Sequence, residues 1–171
     1  SSAFKGQFDG NGKKITNMTI NRPTTDYLGL FGNVHAATIK NLTIQGEIQG
    51  KSYIGGAVGY VYNNGTTSTI TNVTTDVNIS GSSYIGGVVG CVYNYDITNS
   101  ITKISNIKTL LTANGTDYIG GIVGYVHNHR DRINTTITDV EADVTINGRN
   151  NLGGVVGYIN NDGYSSSYLS Y

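Results

Sequence analysis

The stretch YIGGVVGCVYN, residues 84–94, sets a glycine pair, an apolar pair, a third glycine and then tyrosine and asparagine in a fixed order. The order returns at YIGGAVGYVYN (53–63) and YIGGIVGYVHN (118–128), and in shorter form at YLGLFGNV (27–34) and NLGGVVGYI (151–159). Five copies at offsets of 26, 31, 34 and 33 residues mark a repeat architecture, and a repeat of this length governs the fold before any single element does. The paired glycines are not a phosphate-cradling loop, because such loops open a helix and nothing helical follows. They read as a stacked corner where backbones approach closely. In that corner Ile85 and Val89 face the core and Val88 packs against neighbouring loops.

A second motif runs in phase with the first: IKNLTIQGEIQG (39–50), ITNVTTDVNISG (70–81), ISNIKTLLTANG (104–115) and ITDVEADVTING (137–148). Its alternation has period two, the mark of a strand with one buried face. Val73, Thr75, Val77 and Ile79 point one way, as do Ile107, Thr109, Leu111 and Ala113, and then Val140, Ala142, Val144 and Ile146. The opposite rows, such as Thr74, Asp76 and Asn78, belong in water. A single strand of this kind cannot bury its apolar face, but identical units stacked on one another bury a continuous column. The sequence therefore predicts an all-β fold, a right-handed parallel β-helix (β-solenoid) of about five coils. It forms one domain over 1–171, with coils starting near 4, 27, 53, 84, 118 and 151. The step from the last glycine of one motif to the first Ile of the next grows from 7 to 11, 14 and 13 residues, which places variable loops along one edge. A β-sandwich does not ask for the same side chain at the same place in successive strands, so it fits less well. Asn41, Asn72, Asn106 and Asp139, with Asn17 before them, share one register and predict an inward polar ladder at a bend.

Composition agrees. Glycine counts 24, proline 1 and tryptophan 0, amid abundant Thr, Asn, Ile and Val. Eleven Lys+Arg balance eleven Asp+Glu, and no basic cluster exceeds the HRDR at 129–132, so nucleic acid and anionic lipid are not expected partners. No apolar run is long enough to span a membrane. Cys91 is the only cysteine and stands in the column of Tyr60, Tyr125 and Tyr158, which reads as a packed thiol.

The opening FKGQFDGNGKKITNMTI, followed by YLGLFGNV, IKNLTI and repeated GGxVGY with ITNV, resembles the GLUG-repeat proteins of bacterial surfaces. Related segments accompany immunoglobulin-A-protease-type metallopeptidases and large secreted adhesins. The resemblance covers residues 4–160 and implies a right-handed β-solenoid used as a stalk, spacer or adhesive surface at the cell surface or outside the cell. It implies no activity, since peptidase chemistry in such proteins sits in a separate metal domain and this chain has no HExxH motif.

Candidate sites follow from the loops. Tyr62, Tyr93 and His127, the repeated Asn63, Asn94 and Asn128, and Tyr95, His129 and Arg130 beside them are expected to line one edge. Planar rings alternating with amides suit a sugar, one for its apolar face and the other for its hydroxyls. HNHRDR (127–132) holds an H-x-H pair, but a third ligand would have to come from Asp131 or another coil, and His127 takes a column held by tyrosines. No metal and no cofactor is assigned, and His35 reads as a loop residue. FDGNGKK (8–14) contains part of a calcium-loop pattern without its later ligands, and reads as a tight turn starting the first coil. Asp76 and Asp143 share a column two coils apart, about 10 Å at about 4.8 Å per coil, on an open face unsuited to acid/base work. The outward rows mix Thr with charges and so lack the regular Thr array of an ice-binding face. Of seven Asn-x-Ser/Thr sequons, Asn64, Asn78, Asn114 and Asn134 fall in loops or on the outward row and are the acceptors if the source glycosylates. Neither end reads as a polar cap, so the chain is expected to be a segment of a longer protein or to stack end to end with itself. The function expected is a non-enzymatic extracellular structural or adhesive module. A carbohydrate-binding module is the alternative, and a polysaccharide-active enzyme stands third. The partners expected are the chain itself or glycans or proteins of a host surface.

Overall fold

A computed structural model describes residues 2–95, 99–129, 134–162 and 166–169, the last four for their backbone. The chain enters through β1 (Phe4–Asn21) and β2 (Phe31–Gln49). Three strands then make each coil: β3 (Ser52–Gly55), β4 (Val58–Asn64) and β5 (Thr67–Ser80), followed by β6 (Ser83–Gly86), β7 (Val89–Tyr95) and β8 (Ile101–Asn114). The pattern continues through β9 (Asp117–Gly120), β10 (Val123–His129) and β11 (Asn134–Asn147) to β12 (Asn150–Gly153), β13 (Val156–Asp162) and β14 (Ser166–Leu169). Among the described residues there is no helix.

Every strand pairing is parallel. One sheet has the order β13-β10-β7-β4-β2-β5-β8-β11-β14, with β1 also on β2, and a smaller one runs β12-β9-β6-β3. This order follows from the repeat: each coil lays its three strands directly on those of the coil before it. Long β2 does two jobs, pairing Phe31 with Val58 of β4 and Thr38 with Thr69 of β5. The result is a parallel β-solenoid of about five turns. Strands β4, β7 and β10 end at the same rung position, at Asn64, Tyr95 and His129, and residues 96–98 and 130–133 lie outside the described set.

The predicted inward rows of β5 and β8 are the core, and the row Val140, Ala142, Val144 and Ile146 of β11 is half-buried against it. Ile70, Val73, Thr75, Val77 and Ile79 are buried, as are Ile104, Ile107, Thr109, Leu111 and Ala113. The register superposes Ile39, Ile70, Ile104 and Ile137 in one column. Each buried Ile or Val side chain contributes about 1.5–3 kcal/mol, so the columns are the main source of stability. The two core hydroxyls answer each other, with Thr75 Oγ1 2.6 Å from Thr109 Oγ1.

Three expectations are corrected. FDGNGKK is not a turn between elements but a bulge inside β1, where the register against β2 shifts between Asp9 and Lys13 and Asn11 takes a φ of +50°. Val88 is fully buried and belongs to the core. The ladder of Asn41, Asn72, Asn106 and Asp139 does form at a bend, all four with a φ between 53° and 57°, but it faces outward, and Asn17 is not part of it: the register shifts in β1 set Asn17 opposite Gln45 and put Asp9 and the Asn11 bulge beside Asn41. Asn72 Nδ2 donates to Asn41 Oδ1 at 2.8 Å, and Asn41 Nδ2 donates to Asp9 Oδ1 at 2.9 Å. A short amide suits the left-handed conformation because its side chain bonds locally.

The glycine corner works by close approach. A methyl group on Gly87 would run into the Gly121 carbonyl and come within 2.5 Å of Thr109 Oγ1. The left-handed residue of the motif is instead its aromatic: Tyr27, Tyr53, Tyr84 and Tyr118 have φ of 62°, 59°, 59° and 57°, and Asn151 continues the column at 55°. A tyrosine in this region is strained by roughly 1–3 kcal/mol and persists where its surroundings over-determine it. The surroundings are the other tyrosines, stacked at centroid separations of 4.8, 4.6 and 4.9 Å with interplanar angles of 15°, 2° and 5°.

Candidate functional site

Strands β4, β7, β10 and β13 carry the residues singled out for binding, in columns set by their register. Tyr60, Cys91, Tyr125 and Tyr158 form one column, and Tyr62, Tyr93, His127 and Asn160 a second. Asn63, Asn94, Asn128 and Asn161 form a third. These positions lie on strands, where period two decides what each can do. Val61, Val92 and Val126 point inward and are fully buried, so the asparagine two residues later must point inward too.

Asn63, Asn94 and Asn128 are accordingly 0% exposed, which corrects the expectation that they line a groove. They form a buried amide ladder: Asn63 Nδ2 donates to Asn94 Oδ1 at 3.1 Å, Asn94 Nδ2 to Asn128 Oδ1 at 2.9 Å, and Asn128 Nδ2 to Asn161 Oδ1 at 3.0 Å. A hydroxyl from the next strand completes each rung. Ser68, Thr102 and Thr135 donate to Asn63, Asn94 and Asn128 at 2.7, 2.9 and 3.0 Å. The ladder closes the corner from one strand to the next, and its sequence signal is a Ser or Thr two residues before Ile70, Ile104 and Ile137, where the first copy of the motif has Ala37.

The rings do reach the surface. Tyr62 and Tyr93 are half-buried and Tyr95 is 40% exposed. His35 is corrected from loop to strand: it sits in β2, accepts or donates through Nδ1 at 2.8 Å from the Tyr62 carbonyl, and stacks on Tyr62 at 5.9 Å. The stack continues to Tyr93 at 6.0 Å and His127 at 4.7 Å. Beside it Tyr95 and His129 stack at 5.0 Å and 3°. Because the rings face one another along the solenoid, they turn edges and hydroxyls toward solvent. Where the stack meets the first coil, an open groove of about 710 Å³ is lined by Lys5, Asn33, His35, Tyr60 and Tyr62 among others.

Cys91 sits under Tyr60 and Tyr125, 2% exposed, and burial pushes its thiol far above the ordinary range. Burial likewise raises the phenols of Tyr53 and Tyr125 to about 12.

At the far end of the columns the H-x-H pair meets a third group. Asp162 of β13 pairs with His129 of β10, and its Oδ2 lies 3.3 Å from His129 Nδ1 and 3.0 Å from His127 Nε2. The carboxyl is held below the usual carboxylate range, chiefly by the His129 bond. Of the two expected sources of a third group, Asp131 or another coil, the neighbouring coil supplies it; Asp131 and Arg130 lie outside the described residues. The carboxylate of the calcium-like stretch is engaged by protein donors: Asp9 accepts from Asn11 N and Asn41 Nδ2 at 2.8 and 2.9 Å, with Lys40 Nζ at 3.4 Å. Asp76 and Asp143 stand either side of Leu110 in one column, and Asp76 accepts from Gln45 Nε2 at 2.6 Å. Asn64, Asn78 and Asn114 are exposed, while Asn134 is half-buried at the start of β11.

No protein-family model matches the chain, and no solved structure matches it. A stretch of 64 residues, 36% of the chain, is 44% identical to Halomucin of Haloquadratum walsbyi, and the match spans about 1% of that protein's length. Among the described residues no helix is long and apolar enough to cross a membrane.

Proposed function

We propose that the chain is a non-enzymatic extracellular repeat module, a stalk or fibre-forming segment with adhesive outer columns. The observation that carries this reading is the parallel register that runs unbroken from β4 through β7 and β10 to β13. From β4 onward each coil offers the next the same backbone row, the same apolar columns and the same amide column, so length is added by repeating the motif, in one chain or by another copy. The GLUG-repeat resemblance supports such a role, and similarity to a protein that is a mucin by name is in keeping with a place outside the cell. The absence of catalysis is part of the proposal: Asp9, Asp76 and Asp162 are engaged by neighbouring donors instead of converging on one reacting point. Sedimentation and electron microscopy of the concentrated chain test self-association. Filaments one solenoid wide are expected, and discrete monomers at the highest concentration reached would remove the fibre version.

A second reading, binding of a glycan, is favoured by one feature, the open groove where the aromatic stack ends at His35 and Tyr62. A glycan array read with the chain and with Tyr62→Ala, Tyr93→Ala and Tyr95→Ala tests it. Hits that survive all three changes would count against it.

A further inference from the structure

We propose that His127, His129 and Asp162 form a binding site for a divalent transition metal of the zinc class, spanning β10 and β13. The three donor atoms all lie within 4.8 Å of one another. Two ligands each about 2.0–2.1 Å from a tetrahedral zinc stand roughly 3.4 Å apart. The separations of 3.0 and 3.3 Å from Asp162 Oδ2 to the two ring nitrogens are near that spacing before any ion is added.

Two further observations point to a ligand. His127 Nε2 is buried, and among the described residues its one polar neighbour is Asp162 Oδ2 at 3.0 Å, poorly aligned for a hydrogen bond, so this ring nitrogen is withdrawn from water and turned to the carboxylate alone. Both rings are also held in place from the side: Tyr93 packs on His127 at 4.7 Å, Tyr95 stacks on His129 at 5.0 Å, and Tyr125 Oη lies 3.4 Å from the other nitrogen of His127. A group bonded to the far nitrogen of a metal-binding histidine fixes its tautomer and orientation. Two imidazoles and one carboxylate select zinc, copper or nickel over calcium and magnesium, which prefer oxygen. With three protein ligands, a fourth position is left to water or an external group. The ion would staple two neighbouring coils through residues 33 apart in sequence, a role that does not rest on the adhesive reading.

The test is calorimetric titration of the untagged chain with ZnCl2. One ion per chain is expected, with a rise in Tm that EDTA reverses and no response to Ca2+ or Mg2+. Asp162→Asn is expected to weaken binding at least about tenfold, and the double change His127→Ala, His129→Ala to abolish it, while His35→Ala leaves it unchanged. Circular dichroism checks that the variants keep their strands. In the unaltered chain, zinc must also move the ring nitrogen resonances of His127 and His129 and leave those of His35. No binding to the unaltered chain, stoichiometric binding that survives the double change, or a titration that moves only His35 overturns the proposal.

Discussion

Asn94 accepts a hydrogen bond from Asn63 Nδ2 at 3.1 Å, and both side chains are completely buried. The same Asn94 accepts from Thr102 Oγ1 at 2.9 Å and donates to Asn128 Oδ1 at 2.9 Å and Thr135 Oγ1 at 3.0 Å. A buried polar group is costly only when left unmet, so this residue holds several others in balance. Asn94→Ala is expected to destabilise the chain by about 3 kcal/mol, measured by urea unfolding. Asn78→Ala, on the exposed row, should stay within about 0.5 kcal/mol. Equal effects would show that the ladder is not structural.

The glycine corner makes a second prediction. A methyl group at Gly87 has no room between the Gly121 carbonyl and Thr109 Oγ1, and the obstacle includes backbone of the next coil. Gly87→Ala should cost about 3 kcal/mol or leave the chain insoluble, whereas Gly154→Ala, which meets nothing within 4 Å, should be mild. Thermal unfolding of the two variants compares them directly.

The tyrosine column reverses a common ranking. At Tyr84 the φ of 59° is strained for any side chain with a Cβ, while the ring stacks on Tyr53 at 4.6 Å and Tyr118 at 4.9 Å. Tyr84→Ala loses the stack and keeps the strain, but Tyr84→Gly loses the stack and relieves roughly 1 kcal/mol or more of strain. The glycine variant should therefore be the more stable of the two. An alanine variant that is more stable would contradict a left-handed tyrosine.

Alkali should destabilise the chain through Tyr53 of this column and Tyr125 of the column beside it. The phenols of Tyr53 and Tyr125 are raised from 10.0 to about 12 because burial disfavours the charged form. A raised folded value means stability that is complete below pH 10 and drains as pH climbs to about 12. Tyrosinate absorbance of the folded chain should lag that of the urea-unfolded chain across this window. Coincident curves would show that the rings are solvated.

Much of this was legible in the sequence, and the failures have physical reasons. The period-two rows and the repeat offsets lead directly to the columns of Ile39, Ile70, Ile104 and Ile137, because stacking like on like buries such faces and accounts for the same side chain returning at each repeat. Asn63, Asn94 and Asn128 follow an outward ring, Tyr62, Tyr93 or His127, and read as surface, yet their parity with Val61, Val92 and Val126 places them inside. No local signal marks Tyr84 as left-handed, since tyrosine rarely adopts that conformation; Asn151 in the same column is the sole hint. Asp162 meets His129 only after the coil closes, and the 33-residue offset of the last two glycine motifs is what relates them.

The claim at the centre is that coils add in register, and a tandem duplication of the chain tests it most directly. Electron microscopy and small-angle scattering should show a single rod, lengthened by about 4.8 Å for each added coil and unfolding in one transition. Two particles joined by a flexible link, each unfolding separately, would contradict the account.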